Sequence, residues 1–511
     1  MAQPLPYLAA NVPPARVGDL LSAVDTPAAL LDVMAAEYNI LRACALVRGA
    51  AARSGVTVPS IRPHFKAHKC TQLASLQIAL SGGLTTGMCC QKVCEAEACV
   101  DGGVTDVYVC NQIVAPSKIA RLVALATRGA KVAVAVDSAD NARAISVAAC
   151  AAGVNIRVLI EVEVGGERCG VAGEAAAVAL AKICVSLAGL TFGGLHAYNG
   201  VVQHARLYEA RCAAAAQVAH LALGYRRAFE MAGIAVPLIS GGGTGTFVED
   251  ARLGVLGELQ PGSYVLADGD YSRNLGADGQ ELFLNEWAPA LTLLARLCSR
   301  RERDAEGGGG WVVADAGLKA QSTESGAPTV LGTVDEYTKA CVKATAVVEA
   351  AAEKAAMAAH ALKLVAKAKS VVNAVLRPTV GRELDEDAYD ALERLPRPTV
   401  ADQPFVHALV EQLEKRGEED DSGSAPATAP YCPAAYLSCL ETLATKSVSD
   451  EHVTLAPQLG LPLPPEAQVG VGIVLQFSHC DPAVNHYDWL VAHKKGVVVG
   501  VWRLASRSPG I

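Results

Sequence analysis

The chain has 511 residues, of which 51% are hydrophobic, so it is too apolar to be mainly disordered and long enough for two folded domains. Its formal net charge of −8 provides no basic surface for a phosphate backbone, so we expect no nucleic-acid partner. No apolar run reaches the roughly 18 residues that a membrane span requires, and no targeting pattern is visible, so we expect a cytoplasmic protein with no membrane partner.

The first organised part of the chain alternates short β-branched runs with Ala-rich helical stretches, from about residue 60 to residue 270. This alternation is typical of βα units around a parallel sheet. Eight such units match the size of a (β/α)8 barrel, and an open doubly wound sheet is the competing arrangement. The predicted strands are 60–65, 84–88, 104–110, 131–137, 156–164, 190–198, 236–241 and 258–266.

The pattern changes after residue 275 to shorter strand-like runs, which predict a mostly β domain. Its first strand is predicted near residues 25–32, which makes this second domain discontinuous. Residues 335–430 read as an insertion of one or two Ala-rich helices followed by a charged, flexible loop. We therefore expect an N-terminal segment at 1–30 that joins the β domain, a barrel at 31–275, and the β domain at 276–511.

The sixteen cysteines are scattered through apolar stretches, where cysteine commonly behaves as a small core residue. No pair of CxxC motifs has zinc-ribbon spacing, and the chain is not a short secreted scaffold. We therefore expect no disulfide framework.

Lys66, in the segment RPHFKAHK, follows the first predicted strand, where barrel enzymes place catalytic groups. A lysine there can condense with an aldehyde cofactor if its neighbours lower its pKa, although an ordinary ion pair is the simpler interpretation. The glycine-rich segment ISGGGTGTF follows strand seven, where barrels often bind phosphate. Strand eight places Gln260 and Tyr264 beside the same rim.

Six segments in order, RPHFKAHK, EVEVGGERCGV, HAYNG, SGGGTGTF, LQPGSY and FSHCD, resemble the alanine-racemase-fold enzymes that use pyridoxal 5′-phosphate (PLP), specifically the D-threonine aldolase and D-serine dehydratase group. The resemblance covers residues 25–275 almost continuously and returns at 285–334 and 447–505. It implies a PLP enzyme that acts on a small D-amino acid, and it implies a homodimer.

The resemblance also implies roles for residues around the cofactor. Lys66 would bind the PLP aldehyde, Arg168 would hydrogen-bond the phenolic oxygen, and Tyr198 would line the cofactor. Gln260 stands where alanine racemases of this fold carry an arginine facing the pyridine nitrogen. An amide cannot hold that nitrogen protonated by charge, so the PLP ring is expected to be a weaker electron sink than in enzymes that carry a carboxylate there. The phosphate loop would consist of Ser240, Gly241, Gly242, Gly243 and Thr244, with Tyr264 also at the cofactor.

His479 and Asp481, in QFSHCD, are separated by one residue, so both face the same side if the segment is extended, and Cys480 faces the other. The resembling group has a metal-binding motif at this point. Its D-serine dehydratases carry a cysteine as the second ligand, whereas its D-threonine aldolases carry an aspartate. The aspartate here favours Mn²⁺ or Mg²⁺ over Zn²⁺, and it favours the aldolase.

The implied reaction is cleavage of the Cα–Cβ bond of a D-β-hydroxy-α-amino acid to glycine and an aldehyde. It requires a base for the β-hydroxyl proton, and His204, on the loop after strand six, is the best candidate, with His64 and His68 as substitutes. Two alternatives remain open. One is a dehydratase of D-serine or 3-hydroxyaspartate on the same scaffold, and the other is a non-catalytic PLP-binding homeostasis protein.

Overall fold

The computed structural model of the chain describes residues 12–281, 287–302, 309–346, 440, 442–458 and 461–505. Within these residues the strands form one sheet of eight and one of nine. The strands are β1 (Ala28–Asp32), β2 (Ser60–Ile61), β3 (Met88–Cys90), β4 (Asp106–Gln112), β5 (Lys131–Val136), β6 (Ile156–Glu161), β7 (Leu190–Ala197), β8 (Ile239–Gly241), β9 (Glu258–Leu259), β10 (Leu291–Arg301), β11 (Trp311–Ala314), β12 (Thr329–Thr333), β13 (Leu443–Val448), β14 (Val453–Pro457), β15 (Gly472–Gln476), β16 (Trp489–Lys494) and β17 (Val497–Arg503).

The eight-stranded sheet has the order β2-β9-β8-β7-β6-β5-β4-β3, and every neighbouring pair in it is parallel. Its two end strands approach each other through a parallel bridge between His64 and Cys89. The backbone N–H of Cys89 also donates to the Pro63 carbonyl at 2.9 Å. The sheet is therefore curled into a barrel, as predicted, and the doubly wound alternative was wrong.

Helices alternate with these strands and cover the outside of the barrel. Helix α4 shows the pattern, because its apolar residues Ile119, Leu122, Val123 and Leu125 are buried while its polar residues face outward. None of the described helices combines the length and the apolar character needed to cross a membrane. The helices are α1 (Val33–Arg53), α2 (Thr71–Leu80), α3 (Val93–Asp101), α4 (Pro116–Thr127), α5 (Ala139–Ala152), α6 (Glu174–Ser186), α7 (Tyr208–Met231), α8 (Phe247–Leu253) and the short α9 (Gly269–Ser272).

All eight predicted barrel strands are present, with different bounds. The largest shift of a last residue is in β9, which was predicted at 258–266 and ends at Leu259, and the largest shift of a first residue is in β3, which was predicted at 84–88 and begins at Met88. The backbone of Asp106 and the guanidinium of Arg62 lie so close to Gly87 that a Cβ has no room there. Arg62 is buried and pairs with Glu258 at 2.7 Å and Asp106 at 2.8 Å, which fixes this end of the sheet.

The nine-stranded sheet contains β1 and the strands that follow residue 287. β1 pairs antiparallel with β10 and parallel with β16, so the N-terminal strand lies at the centre of a sheet built mostly from C-terminal strands. The mostly β character predicted after residue 275 is confirmed. The domain boundaries at residues 30 and 275 stay a prediction. Residues 334–346 are helical, and residues 347–430 of the predicted insertion lie outside the described residues.

Candidate active site

Lys66 lies in a single 3-10 turn, Phe65–Ala67, directly after β2. Its Nζ atom is 2.6 Å from Oδ2 of Asp481, and the Lys66 side chain is 39% exposed. Both residues line a cavity of about 440 Å³ together with His479. The structure therefore brings the predicted cofactor lysine and the predicted metal pair into one cleft, although 413 to 415 positions separate them in the sequence.

The ion pair determines the charge of both partners. The Asp481 carboxylate raises the pKa of the Lys66 amine well above its ordinary value, although burial opposes this shift. Burial disfavours the Asp481 carboxylate, but Lys66 and His479 outweigh it and lower the Asp481 pKa. The free amine is thus held protonated, and it must lose this proton before it can attack an aldehyde.

The segment that carries the metal pair is not extended beyond His479. His479 itself has extended backbone angles, and a short helix, Cys480–Ala483, begins directly after it. The Asp268 carboxylate explains this turn, because its Oδ2 accepts from the Cys480 N–H at 3.0 Å and lies 2.7 Å from His479 Nδ1. Cys480 does not face away as expected, since the ligand atoms of Asp268, His479 and Cys480 lie within 4.8 Å of one another.

The donor atoms at this place suit a divalent cation. Asp268 holds His479 Nδ1, which leaves Nε2 as the ring atom available to a metal, and a carboxylate behind a metal-binding histidine is a common arrangement. Burial lowers the His479 pKa, but the contacts with Asp268 and Asp481 outweigh it and raise the value to about 9. One imidazole nitrogen and the Asp481 carboxylate form a donor set of intermediate to hard character.

His204 ends the 3-10 turn Val201–His204, after β7. Its Nδ1 lies 2.8 Å from Oδ2 of Asp270, and Arg206 and Arg273 contact the other carboxylate oxygen. Burial disfavours the Asp270 carboxylate, but the hydrogen bonds from His204 and the two arginines outweigh it and lower the Asp270 pKa. Asp270 is therefore a fixed anion that holds Nδ1–H and leaves Nε2 as the basic nitrogen.

Tyr271 joins these two parts of the site. Its ring centroid is 5.0 Å from that of His204 and 6.3 Å from that of His479. Tyr271 is buried, and burial raises the pKa of its phenol well above the ordinary value, which keeps the side chain neutral. The candidate base and the candidate metal ligand His479 thus both lie near one aromatic ring.

His64 and His68, the substitute bases, have both ring nitrogens in contact with protein atoms. His64 faces Cys110 Sγ with Nε2 at 3.3 Å and the Lys66 N–H with Nδ1 at 3.4 Å. His68 contacts Gln77 at 3.0 Å and accepts from the Cys70 N–H at 3.1 Å. Burial lowers the pKa of His68 to about 4. This geometry favours His204 over both as the base.

The glycine-rich loop after β8 has the features of an anion site. Gly242 has φ of +68°, and a Cβ there would meet the Asp250 carboxylate, so only glycine fits. Within the described part of the chain, the N–H groups of Gly242, Gly243 and Thr244 find no hydrogen-bond acceptor. Backbone N–H groups left open at a tight turn fit a phosphate. The cofactor that the fold implies therefore suits the residues present.

Gln260 lies beside this loop in a buried polar chain. Its Nε2 donates to Ser240 Oγ at 2.8 Å, and Ser240 Oγ donates to Glu258 at 2.7 Å. The Gln260 amide also contacts His196 Nδ1 at 3.3 Å. Tyr264 lies elsewhere, in the core, where its hydroxyl accepts from Gln77 Nε2 at 2.9 Å and its ring packs near Phe247 and Trp287.

Arg168 and Tyr198 line a second cavity, of about 290 Å³, together with Glu161. The Arg168 guanidinium carbon is 5.3 Å from the centroid of the Tyr198 ring, and its Nη2 is 3.9 Å from Glu161 Oε1. The Arg168 side chain is 56% exposed, so it can turn toward a bound molecule. The structure places these two predicted cofactor contacts together.

Sequence reasoning missed Asp268, Asp270 and Tyr271, which orient or join the predicted site residues. All three stand in the segment ADGDYS, directly after the last barrel strand region. Two carboxylates and a tyrosine at a barrel rim could have marked this segment as part of the site. Their partners, His479 and His204, lie far away in the sequence, so the pairing itself could not be read from it.

The sequence is similar to proteins of known function. A profile of the alanine racemase N-terminal domain family matches residues 41–268. The sequence is 43% identical over 320 residues to the D-threonine aldolase of an Arthrobacter species, which covers 63% of this chain and 79% of that protein. It is 38% identical over 340 residues to the 3-hydroxy-D-aspartate aldolase of Paracoccus denitrificans, which covers 66% of this chain and 83% of that protein.

A solved structure extends the similarity to nearly the whole chain. The crystal structure of D-threonine aldolase from Filomicrobium marinum matches with a TM-score of 0.66 and 29% sequence identity. The match covers 97% of this chain and 99% of that one. The similarity therefore includes both the barrel and the mostly β region.

Proposed function

The chain belongs to the D-threonine aldolase group of the alanine-racemase fold, and from that premise we propose that it cleaves D-threonine and other D-β-hydroxy-α-amino acids to glycine and an aldehyde. One observation carries the proposal. His204, held by Asp270, and His479, held by Asp268, both lie near the Tyr271 ring. His479 lines the cavity that contains Lys66, His204 lines a neighbouring cavity of about 420 Å³, and Glu324 lines both. This arrangement suits removal of a hydroxyl proton close to an amine-bound substrate.

Bound PLP supplies an electron sink for negative charge at the substrate Cα. Lys66 is the amine that would hold the cofactor aldehyde, and the loop 240–244 would hold its phosphate with backbone N–H groups and the Thr244 hydroxyl, since the Ser240 hydroxyl donates to Glu258. Arg168 would donate to the phenolic oxygen, and Tyr198 would line the ring. Gln260 would face the pyridine nitrogen, where a neutral amide donates or accepts but does not hold a proton by charge.

His479 Nε2 and the Asp481 carboxylate would hold a divalent cation, which as a Lewis acid favours loss of the proton from the β-hydroxyl. We propose Mn²⁺ or Mg²⁺ rather than Zn²⁺, because the second ligand is a carboxylate. Burial raises the pKa of the nearby Cys480 well above the ordinary thiol value, so this sulfur stays protonated and is a poor competitor as a ligand.

His204 would take the β-hydroxyl proton at Nε2. Asp270 supports this role in two ways, because it fixes the tautomer with the proton on Nδ1 and it stabilises the imidazolium that forms. A positioned base contributes roughly 10²- to 10⁴-fold to such a step. The His204 side chain is 41% exposed and lines a cavity of about 420 Å³ together with Asp270, so the imidazole is open to solvent there.

A second candidate substrate is 3-hydroxy-D-aspartate. Two further lysines, Lys69 and Lys92, line the cavity that contains Lys66, His479 and Asp481. Their ammonium groups suit a substrate with a second carboxylate on Cβ. The same cavity also contains Glu95 and Glu324, which lower its positive charge, so we rank this substrate below D-threonine.

The test is one assay of D- and L-threonine with the PLP-loaded protein, with and without a chelator, in which the products are identified. We expect acetaldehyde and glycine from D-threonine only, and loss of the activity with the chelator that Mn²⁺ restores. Ammonia with 2-oxobutyrate would instead establish a dehydratase. No turnover of any D-amino acid with Mn²⁺ present would favour a non-catalytic PLP-binding protein.

Two further expectations stay proposals. We propose a homodimer, which sedimentation or light scattering would test, and a cytoplasmic location, which imaging of the tagged protein would test. Neither is needed for the reaction as argued above.

A further inference from the structure

Three side chains that bind soft metals meet inside the barrel, below the cleft. His64 follows β2, Cys89 lies in β3, and Cys110 lies in β4. One ligand atom from each lies within 4.8 Å of the others, and all three residues are buried. His64 Nε2 and Cys110 Sγ are 3.3 Å apart. Sequence reasoning treated the cysteines as small core residues and did not single out this group.

We propose that His64, Cys89 and Cys110 form a binding site for a thiophilic divalent cation such as Zn²⁺, separate from the His479 and Asp481 pair. Two thiolates and one imidazole match the protein ligands of tetrahedral zinc sites that have three protein donors. Such soft donors select a different metal from a carboxylate and an imidazole. The site does not depend on the reaction proposed above.

A disulfide between the two cysteines fits the backbone less well than a shared metal does. Cys89 is the register partner of Tyr108, so Cys110 stands two residues beyond the paired position on the neighbouring strand. In regular strands about 4.8 Å apart, with a rise of about 3.3 Å per residue, this register corresponds to a Cα separation of roughly 8 Å. A disulfide requires a Cα separation below about 7 Å.

The surroundings can complete a tetrahedral site. The Oε1 atom of Gln91 lies 3.8 Å from Cys110 Sγ, so this amide oxygen or a water can provide the fourth ligand. Ligation through His64 Nε2 requires the proton on Nδ1, so the long 3.4 Å contact from the Lys66 N–H would be given up.

Binding of the cation displaces the thiol protons of Cys89 and Cys110 to solvent, because the thiolate is the metal ligand.

The direct test uses the PLP-loaded, reduced protein with one equivalent of Zn²⁺, examined by X-ray absorption. We expect two sulfur ligands at about 2.3 Å and at least one nitrogen at about 2.0 to 2.1 Å. Of the two groups of three donors found among the described residues, this one offers two sulfurs and the group at His479 offers one. The Cys90 and Cys99 thiols, 3.9 Å apart, belong to neither group, so the nitrogen ligand distinguishes this site from them. A zinc coordination shell with no sulfur ligand, or with a single one, overturns the proposal.

A second test uses Cd²⁺, whose bond to a thiolate gives a charge-transfer absorption in the ultraviolet. We expect Cys89→Ser and Cys110→Ser each to lose most of this absorption, while Cys480→Ser and the exposed Cys298→Ser keep it. Absorption that persists in the first two variants, or that disappears with Cys480→Ser, overturns the proposal. The X-ray measurement needs no substitution, so it decides the matter if a variant fails to fold.

Discussion

His204 Nδ1 lies 2.8 Å from Asp270 Oδ2, and the other oxygen of that carboxylate is held by Arg206 and Arg273. The two arginines prevent the carboxylate from turning, so its direction toward the imidazole is fixed from both sides. Asp268 orients His479 in the same way, with 2.7 Å between Asp268 Oδ2 and His479 Nδ1. Both carboxylates come from the same short segment after the barrel.

Asp270→Asn should lower kcat for D-threonine by roughly 10- to 100-fold, because an amide neither fixes the His204 tautomer by charge nor stabilises the imidazolium. His204→Asn should lower kcat further, by roughly 10²- to 10⁴-fold. Steady-state kinetics with aldehyde detection measure both. The control is Asp140→Asn, which alters an exposed carboxylate paired with Arg143 on α5. An unchanged kcat in Asp270→Asn would contradict the assigned role of His204.

Lys66→Ala should abolish covalent attachment of PLP, because no other amine is expected to take its place. Borohydride reduction of the wild-type protein, followed by digestion and mass spectrometry, should find the pyridoxyl label on the peptide that contains Lys66. The exposed Lys131, changed to Ala, is the matched control and should leave the label in place. A label on any other peptide would remove the basis of the proposed chemistry.

The sequence predicted the barrel well because eight βα units repeat one local pattern, in which apolar strands alternate with amphipathic helices such as α4. It also placed Lys66 and the loop 240–244 at strand ends, where a barrel collects them on one rim. The bounds were less accurate at β3, since the close approach of Arg62 and Asp106 to Gly87 depends on strands that are distant in the sequence.

The candidate site was predicted less completely for the same physical reason. His479 and Asp481 were expected on one extended strand, but the Asp268 carboxylate caps the backbone at Cys480 and turns the chain into a helix. Tyr264 was placed at the rim from its position after strand eight, whereas the hydrogen bond with Gln77 holds its hydroxyl in the core. Both contacts join residues that no local pattern links.

Asp268→Asn should weaken Mn²⁺ binding by roughly 10- to 100-fold, since Asp268 orients His479 and increases its basicity. Calorimetric titration of Mn²⁺ into the chelator-treated, PLP-loaded protein measures the affinity directly. Saturating Mn²⁺ should restore most of the lost activity, which distinguishes a metal-positioning role from damage to the fold. Asp278→Asn, a change in the turn near Gln280, serves as the control. Equal Mn²⁺ affinity in Asp268→Asn and wild type would contradict this assignment.

Asp250, behind the glycine-rich loop, should make the protein less stable as the pH rises. Burial raises its pKa from 3.8 to about 7, although a hydrogen bond from Thr246 opposes this. Between these two values the unfolded chain has lost the proton and the folded protein has kept it, so rising pH favours unfolding. The full effect is on the order of 4 kcal/mol at most, and it is complete above about pH 7.

Asp250→Asn removes this titration, so its stability relative to wild type should increase from about pH 4 to about pH 7 and then stay level. Urea unfolding followed by circular dichroism at several pH values measures the difference. A flat difference for Asp250→Asn would mean that the buried carboxyl is ionised throughout.

Tyr108→Phe should stabilise the protein or leave its stability unchanged. Tyr108 is fully buried inside the barrel, its ring packs edge-on against His196 at 5.7 Å, and among the described residues its hydroxyl has no hydrogen-bond partner. Removing an unsatisfied buried hydroxyl recovers about 1 to 3 kcal/mol of desolvation free energy, while the ring contacts remain. Thermal unfolding of the PLP-loaded protein measures the change.

The matched comparison is Tyr225→Phe, where the same atom is removed from a satisfied site. The Tyr225 hydroxyl accepts from the Gly173 N–H at 3.0 Å and donates to the Val171 carbonyl at 3.1 Å. Its loss leaves two backbone groups without their partner and should destabilise the protein by about 1 to 2 kcal/mol. The two substitutions should therefore shift the unfolding temperature differently, with Tyr108→Phe above Tyr225→Phe. Equal destabilisation by both would show that Tyr108 makes a polar contact inside the barrel, for instance with bound water.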